Sequence, residues 1–387
     1  MGFETQIRGA LLELEREGLR RHPKRVSGAQ GPEIEIDGRR TLCFCSNNYL
    51  GLADHPRIAE ALRATPAEEG VGAAASRLIT GTMDAHEELE SALASFQRLP
   101  DALVFSSGYA ANVGTIQALV GRGDVVFSDA LNHASLIDGA RLSRAAIHVV
   151  QHGDADHLEA LLRAHRGIAV RALILTDSLF SMDGDRAPLK ELATLARDHD
   201  AGLLVDEAHA LGVFGPQGRG LCAELGVVPD VLIGTLGKSF GVSGAYAAGS
   251  VELVSFLRNR ARSFVYSTAP PPAVARAALA AIPLVQGAQE RRAALFAHAR
   301  QLRQGLRALG YEIDSEDSQI IPVHIGENER TMKLSAELLD RGVFVQGIRP
   351  PTVPVGSARL RLTAMATHRP DQIERALEAF ASLAPRG

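Results

Sequence analysis

Cysteine is scarce in this sequence, and its spacing excludes two kinds of small scaffold. The 387 residues contain three cysteines, Cys43, Cys45 and Cys222. They form no C-x-x-C pair and no even set, so the sequence supports neither a disulfide framework nor a zinc site built from cysteines. Such cysteines fit a reducing compartment, and we expect a cytoplasmic protein.

Long apolar runs and a strong excess of one charge are also missing. No segment approaches the ~18 uninterrupted apolar residues of a membrane helix. Glutamates interrupt the N-terminal region, so we expect no signal peptide there. The formal net charge is -4, from 41 basic and 45 acidic residues, whereas dedicated nucleic-acid binders are usually basic. We therefore expect neither a membrane nor a nucleic acid as partner.

The middle of the chain has the pattern of a parallel α/β sheet. Short apolar runs alternate there with segments of helical periodicity, as is typical of strands covered on both faces. The predicted strands are Ala102–Phe105, Asp124–Phe127, Ala172–Leu175, Gly202–Val205 and Val231–Ile233. The predicted helices between them include Ala110–Val120, His157–Ala164 and Leu189–Asp198.

Different patterns flank this region. Apolar spacing predicts a helix over 4–22 and a long helical segment over about 273–309. Strand-like runs follow at Ile320–Ile325, Val343–Gln346 and Arg359–Thr363. In the last run leucines alternate with arginines, which predicts a half-exposed antiparallel strand. We predict an N-terminal helix and arm (1–45), a large α/β domain (46–275) and a small C-terminal α+β domain (276–387).

Polar residues follow the predicted strands, where an open parallel sheet binds its ligands. Ser107 can cap a helix whose exposed N–H groups suit a phosphate, although an ordinary strand–turn–helix has the same pattern. His133 follows the second strand, and a satisfied structural histidine is the alternative there. The run 176–185 after the third strand is either a hydrogen-bonded turn or a polar wall of a site.

The last two strand ends carry the most reactive groups. Asp206 ends a buried strand, which is costly unless the carboxylate is paired, and an arginine partner is the simplest alternative. His209 lies three residues later and can reach the same side. Lys238 lies among three glycines and two hydroxyls, a poorly solvated setting that favours the neutral amine of Schiff-base chemistry. A lysine in a surface turn is the alternative.

Three motif fragments point to two other functions, and neither function is supported. Asp206–His209 spells a helicase motif, and Gly237–Ser239 resembles the end of a phosphate-binding loop. Such a loop needs glycine where this chain has Leu232, so a nucleotide-hydrolysing motor is a distant alternative. His86 begins a segment like a zinc-protease helix but lacks the second histidine, and we expect no metal.

The combined motifs resemble the α-oxoamine synthases, a family of fold-type I pyridoxal-phosphate enzymes. The resemblance runs from about residue 20 to 385 and rests on Asn47–Leu52, Ser107–Asn112, Asn132–Ser135, Val205–His209 and Gly234–Lys238. It implies a mostly parallel central sheet in the large domain and pyridoxal 5'-phosphate as cofactor. It also implies condensation of an amino acid with an acyl thioester and loss of CO₂.

One loop indicates which of the family's substrates this chain uses. Ile348–Pro354, with Ser267–Thr268, is most similar to members that take L-alanine and a pimeloyl thioester, on CoA or a carrier protein, in biotin synthesis. Residues 73–75, Gly81–His86 and Ala210–Leu211 depart from that pattern, and Gly81–His86 looks more like glycine-using members. A glycine-using acyltransferase, an aminotransferase and a cofactor-free binding protein stay open as alternatives.

The resemblance also implies roles for individual residues. Lys238 would form the Schiff base and then act as general base, and Asp206 would pair with the pyridine nitrogen. His133 would stack on the ring near the thioester. His209 and Ser181 would hold the ring hydroxyl. The phosphate would be bound by the turn Ser107, Gly108 and Tyr109, by Thr235 and, from a second subunit, by Ser267 or Thr268, which implies a homodimer with shared active sites.

Substrate contacts complete the predicted site. Arg349 would hold the substrate carboxylate in a bidentate contact that lysine cannot reproduce, with Asn47 as its neighbour. Arg21 matches the position that meets the acyl substrate, although a charge in a basic run at a helix end is an equal alternative. Thr352 would line the acyl channel. Arg361 receives no role, and the partner chain's cofactor would lie near Arg77 and His86.

Overall fold

The computed structural model describes residues 2–314 and 317–384. The strands are β1 (Val26–Ser27), β2 (Glu33–Ile36), β3 (Arg39–Cys43), β4 (Asp101–Phe105), β5 (Val125–Asp129), β6 (Ala146–Val150), β7 (Ala172–Asp177), β8 (Gly202–Asp206), β9 (Val231–Thr235), β10 (Ala245–Gly249), β11 (Glu312–Ile313), β12 (Ile320–Gly326), β13 (Val343–Phe344), β14 (Gln346–Ile348) and β15 (Ala358–Thr363).

The helices are α1 (Phe3–Arg16), α2 (Pro56–Ala64), α3 (Pro66–Glu69), α4 (Asp84–Gln97), α5 (Gly108–Leu119), α6 (Ala134–Ser143), α7 (Ala155–His165), α8 (Leu189–Asp198), α9 (Leu221–Leu225), α10 (Val251–Arg260), α11 (Arg262–Val265), α12 (Pro272–Gln286), α13 (Gln289–Ala308), α14 (Asn328–Asp340) and α15 (Pro370–Ala381). In the described residues, no helix combines the length and apolar character needed to cross a bilayer.

The chain forms two compact units. The central unit comprises residues 48–181 and 185–292. The terminal unit comprises the described residues before 48, residues 182–184 and the described residues from 293 onward.

The central unit is built on a mixed sheet with the strand order β4-β10-β9-β8-β7-β5-β6. The neighbours from β9 to β6 are parallel, and β10 is antiparallel to both β4 and β9. The predicted mostly parallel sheet is confirmed, and each of its five predicted strands lies within two residues of an observed strand. The three predicted helices of this region are present as α5, α7 and α8.

Two strands of this sheet were not predicted. β6 lies at the edge, and its side chains are largely exposed, so it lacks the continuous apolar run of a buried strand. β10 has the sequence Ala-Tyr-Ala-Ala-Gly, and alanine and glycine are poor strand formers. Its pairing with two neighbours, rather than local preference, makes it a strand.

Glycines let α5 and α6 approach closely beside the sheet. A Cβ atom added at Gly139 would lie 2.8 Å from Ile116 Cδ1 and 3.3 Å from the Asn112 carbonyl oxygen. Ile116 and Leu136 are fully buried in the apolar cluster that covers the central strands. This close approach brings Asn112 on α5 next to Ser135 on α6.

The terminal unit contains two small sheets. Their orders are β1-β2-β3-β13 and β11-β12-β15-β14. The prediction of one strand over Val343–Gln346 is wrong, because β13 and β14 belong to different sheets. The antiparallel pairing of β15 is confirmed.

The predicted half-exposure of β15 is wrong, since all six of its residues are buried. Arg359 and Arg361 are 5% and 6% exposed. Arg359 forms an ion pair with Asp183, and Arg361 donates to Asn47. The alternation therefore marks one apolar face and one buried polar face, which a sequence pattern cannot distinguish from a face in water.

Two predicted helices are shorter than expected. The helix predicted over 4–22 ends at Arg16, because Gly18 takes a left-handed conformation with φ +65°. The segment predicted over 273–309 is two helices, α12 and α13, which break at Gly287 and Ala288.

Candidate active site

The carboxyl ends of β5, β7, β8 and β9 lie side by side in the central unit, because these strands are parallel neighbours. Asp177 at the end of β7 lies directly opposite Asp206 at the end of β8. His133, His209 and Lys238 follow the ends of β5, β8 and β9. The structure thus gathers at one sheet edge the polar groups that the sequence singled out.

Asp206 is buried and accepts hydrogen bonds from two neutral donors. Its Oδ1 accepts from the Ala208 amide at 2.9 Å, and its Oδ2 accepts from Asn112 Nδ2 at 2.7 Å. Among the described residues, no arginine or lysine forms an ion pair with Asp206. The arginine partner that the sequence offered as an alternative is therefore not found among the described residues.

Lys238, His209 and Tyr49 form a hydrogen-bonded row. Lys238 Nζ lies 2.8 Å from His209 Nε2, and His209 Nδ1 lies 2.7 Å from the Tyr49 hydroxyl. Tyr49 is fully buried and Lys238 is half-buried. Sequence reasoning quoted Tyr49 only as part of a motif, because its partner lies 160 residues away along the chain.

His133 is held through both its backbone and its ring. Its amide donates to Asp177 Oδ2 at 2.7 Å, while the Asp177 amide donates to Asn132 Oδ1 at 3.0 Å. Its Nδ1 lies 2.7 Å from the Ser135 hydroxyl. Burial raises the pKa of Asp177, and the neighbouring Asp206 raises it further. These reciprocal bonds fasten the loop after β5 to the end of β7.

The start of α5 faces Thr235 at the end of β9. Ser107 Oγ accepts from the Ala110 amide at 3.1 Å, so the predicted helix cap is confirmed. A Cβ atom added at Gly108 would lie 3.9 Å from Thr235 Oγ1. Tyr109 is exposed, and its hydroxyl donates to Asp138 Oδ2 at 2.7 Å. The helix amides and the Thr235 hydroxyl thus line one small cradle.

This arrangement fits pyridoxal phosphate. The N-terminus of α5 lies beside the Thr235 hydroxyl at Gly108, and a helix N-terminus suits a phosphate. Asp206, which accepts from Asn112 and from the Ala208 amide, would suit the ring nitrogen, and Lys238 would supply the amine for the aldehyde. His133 and His209 follow the ends of β5 and β8 at the same edge of the sheet.

The other predicted cofactor residues also lie in the central unit. Ser181 is half-buried and follows the loop after β7. Thr268 pairs with Ser76 in an isolated antiparallel bridge, and Ser267 precedes it. Their contact with a cofactor in a second subunit stays a prediction.

Four of the predicted substrate residues, Arg21, Asn47, Arg349 and Thr352, lie in the terminal unit, whereas His133 lies in the central unit. Arg349 Nη2 donates to the Arg20 carbonyl oxygen at 3.2 Å, and its Nη1 lies 3.1 Å from Met332 Sδ. Arg21 and Thr352 are exposed. Their roles toward a substrate stay predictions.

Arg361 is the residue of this unit that sequence reasoning left without a role. Its Nη1 donates to Asn47 Oδ1 at 3.2 Å, and Asn47 is itself a predicted substrate residue. The signal was present in the alternating arginines of the predicted strand, but that pattern alone did not reveal burial.

Arg77 and His86 have partners within this chain. Arg77 forms two hydrogen bonds to the Glu90 carboxylate, at 2.9 and 3.0 Å. His86 Nε2 lies 2.8 Å from the Pro270 carbonyl oxygen. Both residues stabilise the region around α4, and their predicted proximity to a partner's cofactor stays a prediction.

Comparisons with known proteins agree on one family. A family model described as aminotransferase class I and II matches residues 39–380. The chain is 52% identical over 367 residues to an 8-amino-7-oxononanoate synthase of Citrifermentans bemidjiense, covering 94% of each chain. It is 50% identical over 381 residues to the enzyme of the same name from Geobacter sulfurreducens, covering 97% of each.

Solved structures show the same fold. A serine palmitoyltransferase from S. paucimobilis with a bound PLP–myriocin aldimine matches with a TM-score of 0.93 and 32% identity, covering 99% of this chain and 98% of that one. An 8-amino-7-oxononanoate synthase from Francisella tularensis matches with a TM-score of 0.77 and 28% identity, covering 89% and 97%. The fold is that of the fold-type I pyridoxal-phosphate transferases.

Proposed function

Because the chain belongs to the aminotransferase class I and II family, we propose that it is a pyridoxal-phosphate-dependent 8-amino-7-oxononanoate synthase. In this reaction L-alanine condenses with a pimeloyl thioester and releases CO₂ and a free thiol, a step of biotin synthesis. The observation that carries the proposal is identity of 52% across 94% of both chains with a synthase of that name.

The residues at the sheet edge have the chemistry that this reaction needs. Bound pyridoxal phosphate supplies an electron sink for negative charge that develops at the α-carbon of the amino acid. Gly108 and Thr235 would hold its phosphate, and Asp206 would face its ring nitrogen. Lys238 Nζ would take the α-proton as general base, and His209 Nε2, 2.8 Å away, orients that amine.

Both substrates carry a carboxylate, and the terminal unit offers two arginines. We propose that Arg349 and the Arg361–Asn47 pair each bind one of them through the planar guanidinium fork. Arg349→Lys and Arg361→Lys test this separately. Each variant should raise the KM for one substrate, alanine or the acyl thioester, by roughly 10–100-fold, since lysine cannot form the bidentate pair.

A second candidate is a synthase with another amino acid or acyl chain. The match to serine palmitoyltransferase, with a TM-score of 0.93, favours it because the same fold serves a different substrate pair. The higher identity to the 8-amino-7-oxononanoate synthases, 52% against 32%, favours the first proposal.

Free-thiol release tests the proposal. Pimeloyl-, acetyl-, succinyl- and palmitoyl-CoA are each offered with alanine, glycine or serine, and Lys238→Ala serves as the inactive control. Release only with alanine and the pimeloyl donor supports the proposed function. Release mainly with glycine and acetyl-CoA, or with serine and palmitoyl-CoA, replaces the substrates but keeps the family. Amino-group transfer without thiol release contradicts it.

We also propose a cytoplasmic homodimer with shared active sites. The reduced state of Cys43, Cys45 and Cys222 supports the location. The likeness of Ser267–Thr268 to residues that reach the phosphate of the opposite subunit supports the dimer.

A further inference from the structure

The hydrogen bonds around His133 have a fixed direction. The backbone amide of Ser135 lies 3.2 Å from His133 Nδ1. A backbone N–H only donates, so Nδ1 must offer its lone pair and cannot carry a hydrogen there. This contact alone selects one of the two neutral forms of the ring.

The side chains behind the ring reinforce the same direction. Asn112 Nδ2 lies 2.7 Å from Asp206 Oδ2 and 2.8 Å from Ser135 Oγ. The carboxylate of Asp206 accepts hydrogen bonds, so the amide nitrogen of Asn112, not its oxygen, must face it. The second N–H of that amide then points to Ser135 Oγ. The single hydroxyl hydrogen of Ser135 is left to donate to His133 Nδ1 at 2.7 Å.

The hydrogen bonds that set this direction are protected from water because their side chains are buried. Asn112 and Ser135 are 1% and 0% exposed, so water does not compete for their hydrogen bonds. No described residue accepts a hydrogen bond from the other ring nitrogen, Nε2. The charged groups that act on the ring are Lys238, Asp206 and Asp138. Burial lowers the pKa of His133, and the neighbouring Lys238 lowers it further against the two carboxylates.

We propose that Ser135 and Asn112 are positioning residues that hold His133 as the neutral imidazole with its hydrogen on Nε2. This inference rests on the proposed function for its consequence. His133 would then donate a hydrogen bond from Nε2 to the carbonyl oxygen of the acyl thioester, where negative charge develops as the carbon–carbon bond forms. The same arrangement makes Nδ1 unavailable as a general base.

Nuclear magnetic resonance of the full-length chain tests the tautomer directly. The protein is labelled with ¹⁵N-histidine, and His133 is assigned from the signals that His133→Gln lacks. We expect a hydrogen on Nε2 and a bare Nδ1 at neutral pH, both without and with the cofactor. A hydrogen on Nδ1, or a doubly protonated ring, would overturn the proposal.

A hydroxyl deletion tests the positioning role. A hydrogen bond donated to Nδ1 stabilises the neutral ring, so Ser135→Ala should raise the pKa of His133 by about one unit. The acid limb of the kcat profile for thiol release should shift to higher pH by the same amount, and Ser135→Thr should restore it. An unshifted NMR titration of His133 in Ser135→Ala would contradict the role.

Ser143→Ala is the matched control on the same helix. Ser143 is also buried, but its hydroxyl donates to the Ala140 carbonyl oxygen at 2.6 Å, away from His133. The Ser143→Ala variant should have a lower free energy of unfolding than wild type, while the pKa of His133 should stay unchanged. An equal pKa shift in this control would show a general effect of destabilising α6 and would overturn the specific role of Ser135.

The two proposals can fail separately. If the wild-type chain releases no thiol from any donor, the proposed function fails, and the NMR signals still decide the tautomer. If thiol is released but the ring carries its hydrogen on Nδ1, the proposed function holds and this inference fails.

Discussion

At the residue scale, we expect Asp206 to contribute to turnover through its charge rather than its shape. Its two oxygens accept from Asn112 and from the Ala208 amide. Asp206→Asn keeps the size but removes the charge that would hold a ring nitrogen protonated. We expect kcat for thiol release to fall by at least about 100-fold, while cofactor absorbance survives gel filtration. Unaltered turnover would show that Asp206 does not face the ring.

Gly220 makes room for the buried carboxylate next to Asp206. Its φ is +104°, and an added Cβ would lie 2.6 Å from Glu207 Oε2. Glu207 accepts from Ser178 Oγ and from the Leu221 and Cys222 amides. Gly220→Ala combines backbone strain with this clash and should lower the free energy of unfolding by about 3 kcal/mol.

Gly226→Ala measures the cost of a side chain at a positive φ where the added Cβ meets no neighbour. Gly226 also has a positive φ, +70°, but an added Cβ meets nothing within 4 Å. We expect a loss of about 1 kcal/mol there. Urea unfolding of both variants checks the pair, and equal losses would show that Glu207 yields without cost.

At this scale the sequence predicted which polar residues meet at the sheet edge but not the residues that contact them. Lys238, His209, Asp206 and His133 follow predicted strands, and parallel pairing brings strand ends together. Their partners come from distant elements. Asn112 and Asp206, for example, are 94 residues apart. Spacing along a chain carries no information about such contacts.

At the element scale, a charged histidine joins two segments of the central unit. His152 follows β6, and its two ring nitrogens each lie 2.8 Å from a carboxylate, Asp129 at the end of β5 and Asp185 after β7. Hydrogen bonds to Asp129 and Asp185 raise the pKa of His152 to about 10. Its ring also packs edge-on against Phe180. The triad therefore steadies the segment that carries Ser181.

This triad predicts a pH-dependent stability. The folded pKa of His152 lies above its ordinary value of 6.5, so its contribution is complete below pH 6.5 and is lost as pH rises through about 10. In His152→Gln, urea unfolding should give a free energy lower than wild type by about 2 kcal/mol at the acid end, with solvent screening included. The difference in unfolding free energy between His152→Gln and wild type should disappear at the alkaline end. If this difference in free energy were the same at every pH, the variant would be less stable because of lost packing rather than lost charge.

Elements were predicted well where local pattern and burial agree. The five predicted strands of the central sheet meet that condition, and each was placed within two residues. β10 does not, since its pairing with β4 and β9 makes it a strand, and the fully buried ring of Tyr246 covers Gly234 on the adjacent strand. An added Cβ at Gly234 would lie 2.3 Å from the Tyr246 ring. This contact depends on the pairing of β10 with β9, and a short segment of sequence gives no information about which strands pair.

At the scale of the whole molecule, shared active sites predict complementation between inactive chains. Lys238→Ala lacks the amine, and the double variant Ser267→Ala, Thr268→Ala lacks the groups that would reach the opposite site. A mixed dimer then contains one complete site and one doubly defective site. Random exchange should restore about a quarter of wild-type thiol release. Activity no greater than the sum of the parents would show that each chain completes its own site.

The whole fold and its family followed from the motif set rather than from composition. Composition and charge excluded classes of protein but selected none. The motifs from Asn47 to Lys238 identified the fold because they match its strand ends in order. The substrate pair depends on the shape of a channel, and sequence spacing does not encode shape.

Two hydrogen bonds tie the Asn132–His133 segment to Asp177. The amide hydrogens of His133 and Asp177 are bound to the side chains of Asp177 and Asn132, which fasten β5 to β7 inside the central sheet. Each of these hydrogens must leave its side-chain acceptor before it exchanges with solvent, so both should exchange more slowly than amides of the exposed loops. The imidazole would therefore keep its place while surrounding loops fluctuate.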